Sequence, residues 1–96
     1  MVKSELIERL ALDYTHRPYQ QIKNAVEALT GQMSETLARG ERIEIRGFGS
    51  FSLHVHPPRI SRNPKTGESV AVAQRHSIHF KPGKELRIRV NNGNKF

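Results

Sequence analysis

Apolar positions along the chain recur at two different periods. Leu6, Ile7, Leu10, Ala11 and Tyr14 recur every three or four residues, which predicts a helix over residues 3–14 with one apolar stripe. Ser4 is the candidate cap for its start. Thr15-His16-Arg17-Pro18 breaks the period. Pro18 suits the first turn of a second helix, where its missing N–H costs nothing. Ile22, Ala25, Val26, Leu29, Met33 and Leu37 carry the period onward and predict that helix over residues 18–39. Gly31 interrupts it at a cost of roughly 1 kcal/mol against alanine. Gly40 fits a left-handed cap just past its end.

From residue 42 the period changes to two. Arg42-Ile43-Glu44-Ile45-Arg46 alternates strictly and reads as a strand, with the isoleucines on one face and Arg42, Glu44 and Arg46 exposed on the other. Gly47-Phe48-Gly49 is a tight connection. Residues 50–56 form the next strand, with Phe51, Leu53 and Val55 on one face and Ser52, His54 and His56 on the other. Pro57-Pro58 ends ordinary pairing, since neither residue can donate to a ladder. A third strand is expected over residues 74–81, with Ile78 and Phe80 inward. Pro82-Gly83-Lys84 then opens a short last helix carrying Leu86, Ile88 and Val90, which Asn91-Asn92-Gly93 closes. Asn94-Lys95-Phe96 reads as a loose tail. These elements make an α+β fold with a three-stranded antiparallel sheet.

The segment between the second and third strands fits neither period. It is too polar for core, and its turn chemistry is too specific for a linker. Asn63-Pro64-Lys65-Thr66-Gly67 is a turn with a mechanism: Asn suits the first position, Pro presets φ at the second, and Gly67 takes the positive φ that returns the chain. Residues 58–73 therefore read as a protruding β-hairpin arm on a body of residues 1–57 and 74–96. Val70 and Val72 alternate with alanines, so the arm has little to bury. Such an arm is mobile until a partner orders it.

Charge says what that partner is. Residues 1–58 hold seven bases and seven acids, whereas residues 59–96 hold nine bases against Glu68 and Glu85, so the chain's whole net charge of +7 lies in the arm and the C-terminal segment. Segregation of this size favours a polyanion. Arg59, Arg62, Lys65 and Arg75 suit phosphates or a narrow minor groove. Pro64 at the tip is either a plain turn residue or a rigid apolar wedge, able to unstack two base pairs. Double-stranded DNA is the expected partner, with an RNA-binding module as the competing class. The first two helices carry no net charge, so neither suits a helix-turn-helix recognition helix.

Length and composition narrow the rest. Ninety-six residues make one domain. With the arm set aside, the body is small enough that dimerisation is the expected support. There is no cysteine for disulfides or thiolate chemistry. The N-terminus is not that of a signal peptide, and the apolar runs are too short to span a bilayer, so a soluble, intracellular chain with no membrane partner is expected. Five histidines invite a metal, but no cysteine or acid pair completes a ligand set, so His54 and His56 read instead as surface or phosphate-facing and no cofactor is expected. Glu44, between two arginines, lacks the second acid that metal-assisted phosphoryl transfer needs, and there is no Walker-type loop. The expectation is a protein without an enzymatic reaction.

Gly47-Phe48-Gly49-Ser50-Phe51, Pro58-Arg59, Arg62-Asn63-Pro64-Lys65-Thr66-Gly67 and Phe80-Lys81-Pro82-Gly83-Lys84-Glu85-Leu86 together resemble the bacterial HU/IHF family of DNA-bending proteins. The resemblance runs from Lys3 to about Arg89, and residues 3–10 and 40–54 look most like the β-type subunits. It implies an intertwined dimer with a helical body and two arms, formed with a related α subunit or with a second copy of the chain. It further implies a cytoplasmic, nucleoid-associated role in recombination, replication and transcription. Each arm would wrap the minor groove and insert Pro64, with Asn63 and Lys65 beside it. By the same resemblance Glu44 and Arg46 lie at the body–DNA surface near the arm base, and Lys3, Lys81 and Lys84 lie where helix starts meet phosphates. Arg42, on the same strand face as Glu44 and Arg46, is chemically able to meet phosphates or base edges. A helix start attracts phosphate in any case, which supports the Lys84 placement independently. Ser61 in place of the family's usual glycine, Val2 in place of its polar cap, Ile88 and the tail depart from the pattern.

Overall fold

The computed structural model describes residues 1–93. The chain divides into two compact units, Met1–Glu35 and Thr36 onward.

The first unit is helical. Helix α1 spans Lys3–Asp13 and α2 spans Tyr19–Ala38, its last turn passing into the second unit. The expected cap moves: Val2 holds the N-cap position with extended backbone, and no side chain caps the helix. Ser4 is already inside the first turn, where helical dihedrals deny it the capping geometry. The Val2 carbonyl accepts the first helical bond from the Leu6 N–H at 3.0 Å. Pro18 sits one residue before α2, and its carbonyl accepts from the Gln21 N–H at 3.0 Å. Ile7 and Val26 are buried, whereas Leu29, on the expected apolar stripe, is 62% exposed.

At the end of α2, Gly40 takes φ +81°. Its N–H donates to the Leu37 carbonyl and the Glu41 N–H reaches back to that of Thr36. This is the two-bond glycine stop that the Arg39-Gly40 step predicts.

The second unit holds β1 (Ile43–Ile45), β2 (Gly49–His56), β3 (Arg59–Arg62), β4 (Ser69–Val72), β5 (Arg75–Pro82) and α3 (Lys84–Gly93). β1, β2 and β5 form an antiparallel sheet in that order, and β3 and β4 form a separate two-stranded ribbon. Phe51 stands opposite both Ile43 and Phe80. The Phe51 and Phe80 rings approach to 4.7 Å between centroids and those of Phe48 and Phe80 to 5.4 Å, so three phenylalanines anchor the end of the sheet beside the β1–β2 turn. Toward the other end, Val55 and Ile78 are exposed, so Ile78 is not inward within this chain.

β5 takes in Pro82, and α3 runs through Asn91 and Asn92 to Gly93 instead of closing before them. The expected loose tail, Asn94 to Phe96, lies outside the described residues.

The two sheets are one ribbon with an interruption. His56 stands opposite Arg75, and three residues further Arg59 stands opposite Val72, so the register runs on unbroken. Only the positions of Pro57, Pro58, Ala73 and Gln74 drop out of the ladder. Prolines have no N–H to give it.

Candidate nucleic-acid interface

The arm tip is built by local hydrogen bonds. The Asn63 N–H donates to the Glu68 carbonyl at 2.9 Å, and the Gly67 N–H donates to the Asn63 carbonyl at 2.7 Å. The Asn63 side-chain oxygen accepts from the Lys65 N–H at 2.9 Å, and the Thr66 hydroxyl accepts from the Glu68 N–H at 3.3 Å. Gly67 takes φ +72°. Every residue from Arg62 to Ala71 is exposed. Pro64 therefore stands at the free end of the hairpin, in a loop whose shape is fixed by its neighbours.

Strand alternation sorts the arm's cations. Ser61 stands opposite Val70 and Ile60 opposite Ala71. Arg59 and Ser61 thus share one face, and Ile60 and Arg62 share the other. The two arginines do not form a single row; they serve opposite sides of the ribbon.

At the other end of the sheet lies a cavity of about 600 Å³, lined by Arg42, Glu44, Arg46, Ser50 and Lys81 with backbone from Gly47, Gly49 and Gly83. Its walls follow from the local chain. Gly47 takes φ +82°, the Phe48 N–H donates to the Ile45 carbonyl at 3.0 Å, and the Gly83 N–H donates to the Phe48 carbonyl at 2.8 Å. These bonds tie the β1–β2 turn to the start of α3. A Cβ on Gly49 would fall 2.6 Å from the Lys81 carbonyl oxygen and 2.7 Å from the Phe80 ring, so the strands close up only around glycine. Glu44 is engaged by Arg42 at 3.7 Å, both side chains being exposed. Arg46 and Lys81 leave the groove cationic.

The structure brings Arg42, Glu44, Arg46 and Lys81 together at the groove. This puts Glu44 and Arg46 at the opposite end of the sheet from the arm base, where the resemblance implied them, because Glu44 pairs with Ser50 at the start of β2 and the arm begins only after its end. Arg62, Asn63, Pro64 and Lys65 lie at and beside the tip. Arg59 and Arg75 open the first strand of the arm and the last strand of the sheet, at the arm's root. Lys84 begins α3 and is exposed. Lys3 begins α1 in the helical unit, its ammonium 3.9 Å from Glu27. Sequence reasoning missed Ser50 as a buried part of the groove wall, and although it put His54 and His56 on one strand face it missed that His79 joins them. Both depend on the β2–β5 register, for which the strand pattern alone has no signal. Among the described residues no group of three or more histidine, cysteine or acidic side chains is placed to hold a metal ion, and no helix is long and apolar enough to cross a membrane.

A family model described as bacterial DNA-binding protein matches residues 1–91. The chain belongs to that family. Two relatives within it are integration host factor β subunits. That of Methylococcus capsulatus is 65% identical over 95% of this chain and 96% of its own length. That of Alkalilimnicola ehrlichii is 64% identical over 97% of this chain and 93% of its own. Among solved structures, the HU chain of the Anabaena HU–DNA cocrystal structure superimposes with a TM-score of 0.81 at 28% identity, covering 95% of this chain and 98% of that one. The α+β fold with its extended arm is thus the fold of the bacterial DNA-binding protein family.

Proposed function

We propose that the chain is the β-type subunit of an integration-host-factor dimer, an architectural protein that binds and bends duplex DNA and has no reaction of its own. The observation that carries this reading is the arm: a hairpin without a core, with cations on both faces and an exposed proline held at its tip. A ribbon of this kind suits the minor groove, where arginines meet phosphates and a narrow, negative floor. Pro64 is the wedge. It has no N–H to desolvate, and Asn63 and Gly67 hold the loop that presents it. Insertion between base pairs unstacks them and kinks the duplex.

Asn63, Arg62 and Lys65 flank the inserted tip, and Arg59 and Arg75 hold phosphates at the arm's root. Arg42, Arg46 and Lys81 give the groove its charge, and Glu44 orients Arg42. Lys3 and Lys84 take phosphates on the flanks of the bent duplex. Bending a site of 20–30 base pairs costs on the order of 1–10 kcal/mol, which phosphate neutralisation and arm contacts must offset. Preference among sites then follows largely from how easily each deforms.

Identity to β subunits favours a related α subunit as the partner over a second copy of this chain. The site of action is the cytoplasmic nucleoid, in recombination, replication and transcription. Energy transfer between dyes on the two ends of a duplex tests the wedge. Pro64→Ala should open the bend while leaving the salt-dependent, non-specific affinity within a few-fold of the wild type. An unchanged bend would remove Pro64 from the mechanism.

A further inference from the structure

Five histidines take no part in the reading above. The β2–β5 register gathers three of them. His54 stands opposite Ser77, His56 opposite Arg75, and His79 opposite Ser52, so all three imidazoles share one face of the sheet. The His54 and His79 rings stack at 4.8 Å with 14° between planes. The His56 ring lies 6.4 Å from that of His54, and its Nε2 is 2.7 Å from the Ser77 hydroxyl. His54 and His79 are exposed, and His56 is half-buried. His76 stands opposite Val55 on the other face.

The charged groups that share this face are few. From β5 come Arg75, at the arm's root, and Lys81, in the cationic groove. From β1 and its flanks come Glu44, opposite Ser50, with Arg42 and Arg46 on the same alternation and Arg42 engaging Glu44. β2 adds no other charge. The patch thus fills the interval between two cationic ends.

We propose that His54, His56 and His79 form a proton-linked phosphate-binding patch, joining the groove to the arm's root into one DNA-contacting strip. The proposal rests on the DNA-binding reading and deepens it. A neutral imidazole offers a phosphate one N–H; an imidazolium offers two and a full positive charge. Imidazole is the side chain whose ordinary charge change falls near neutrality. A phosphate beside the patch favours the charged form, so the complex holds more protons than the free protein. Binding therefore takes up protons, and affinity falls as pH rises through the neutral range.

The test measures duplex affinity at constant ionic strength between about pH 6 and about pH 8. It uses the assembled dimer, with the partner subunit kept constant so that its own titrations cancel. Calorimetry in two buffers of different ionisation enthalpy counts the protons taken up. The wild type and a His76→Gln control should lose affinity about tenfold per linked proton per pH unit across the titration. The variant carrying His54→Gln, His56→Gln and His79→Gln should lose the most affinity near the lower pH, show a flatter profile, and lose the proton uptake. A triple variant with the wild-type pH slope overturns the proposal, as does one that takes up as many protons on binding as the wild type. Failure of the wild type to bind duplex at any pH in the range overturns the DNA-binding reading itself.

Discussion

Gly49 sits where the turn after β1 meets β5, and its missing side chain lets the strands close. An added Cβ would overlap the Lys81 carbonyl and the Phe80 ring, and neither is the loose end of a flexible chain. Gly49→Ala must therefore push β2 and β5 apart or turn Phe80 away from Phe48 and Phe51. Overpacking of this kind costs about 1–3 kcal/mol. In a protein of this size that lowers the melting temperature by roughly 5–20 °C, which a thermal melt of the folded dimer reads directly. A variant that melts with the wild type would show that the strands give way freely. Gly47-Phe48-Gly49 was legible as a tight turn from its glycines and its place between two alternating runs. The close packing at Gly49 was not, because the atoms that demand it lie more than thirty residues further on.

At the scale of the element, the arm was the most legible part of the chain. Asn63-Pro64-Lys65-Thr66-Gly67 names its own turn, and the hydrogen bonds of the tip follow from those residue types one by one. What the pattern did not carry was the sorting of Arg59 and Arg62 onto opposite faces, which needs the β3–β4 register. On a ribbon in a groove, opposite faces meet opposite walls. On the proposed reading each arginine neutralises its own phosphate, so Arg59→Ala or Arg62→Ala should each make the slope of log affinity against log salt shallower by roughly 1. Titrations at several salt concentrations decide this. A slope equal to that of the wild type would place the phosphate contacts on other side chains.

For the whole molecule, the buried apolar residues are few. Among the described residues they are Ile7 and Val26, while Leu29, Val55 and Ile78 remain exposed on stripes that the sequence marks as apolar. The helical and strand periods showed which residues ought to be covered, but a period within one chain does not say what covers them. The need for a partner was therefore legible in the length and the small body, and the covered surface was not. Folding coupled to assembly makes stability depend on protein concentration. The melting temperature should rise steadily as the dimer is measured over about a hundredfold range of concentration. A melting temperature that stays constant would mean that each subunit stands alone.

The unbroken register across Pro57-Pro58 sets a parity rule for the architecture. The interruption frees the arm from the ladder of the body without shifting its phase, so Ile60 and Arg62 fall on the same side of the ribbon as His54 and His56. A single residue gained or lost in one strand would exchange the two sides of everything beyond it, because side chains alternate with a period of two. Arms of other lengths can keep the same surfaces toward a groove only by growing or shrinking in matched pairs, two residues out and two back. Reach is thereby quantised in steps of about 7 Å, the rise of two strand residues.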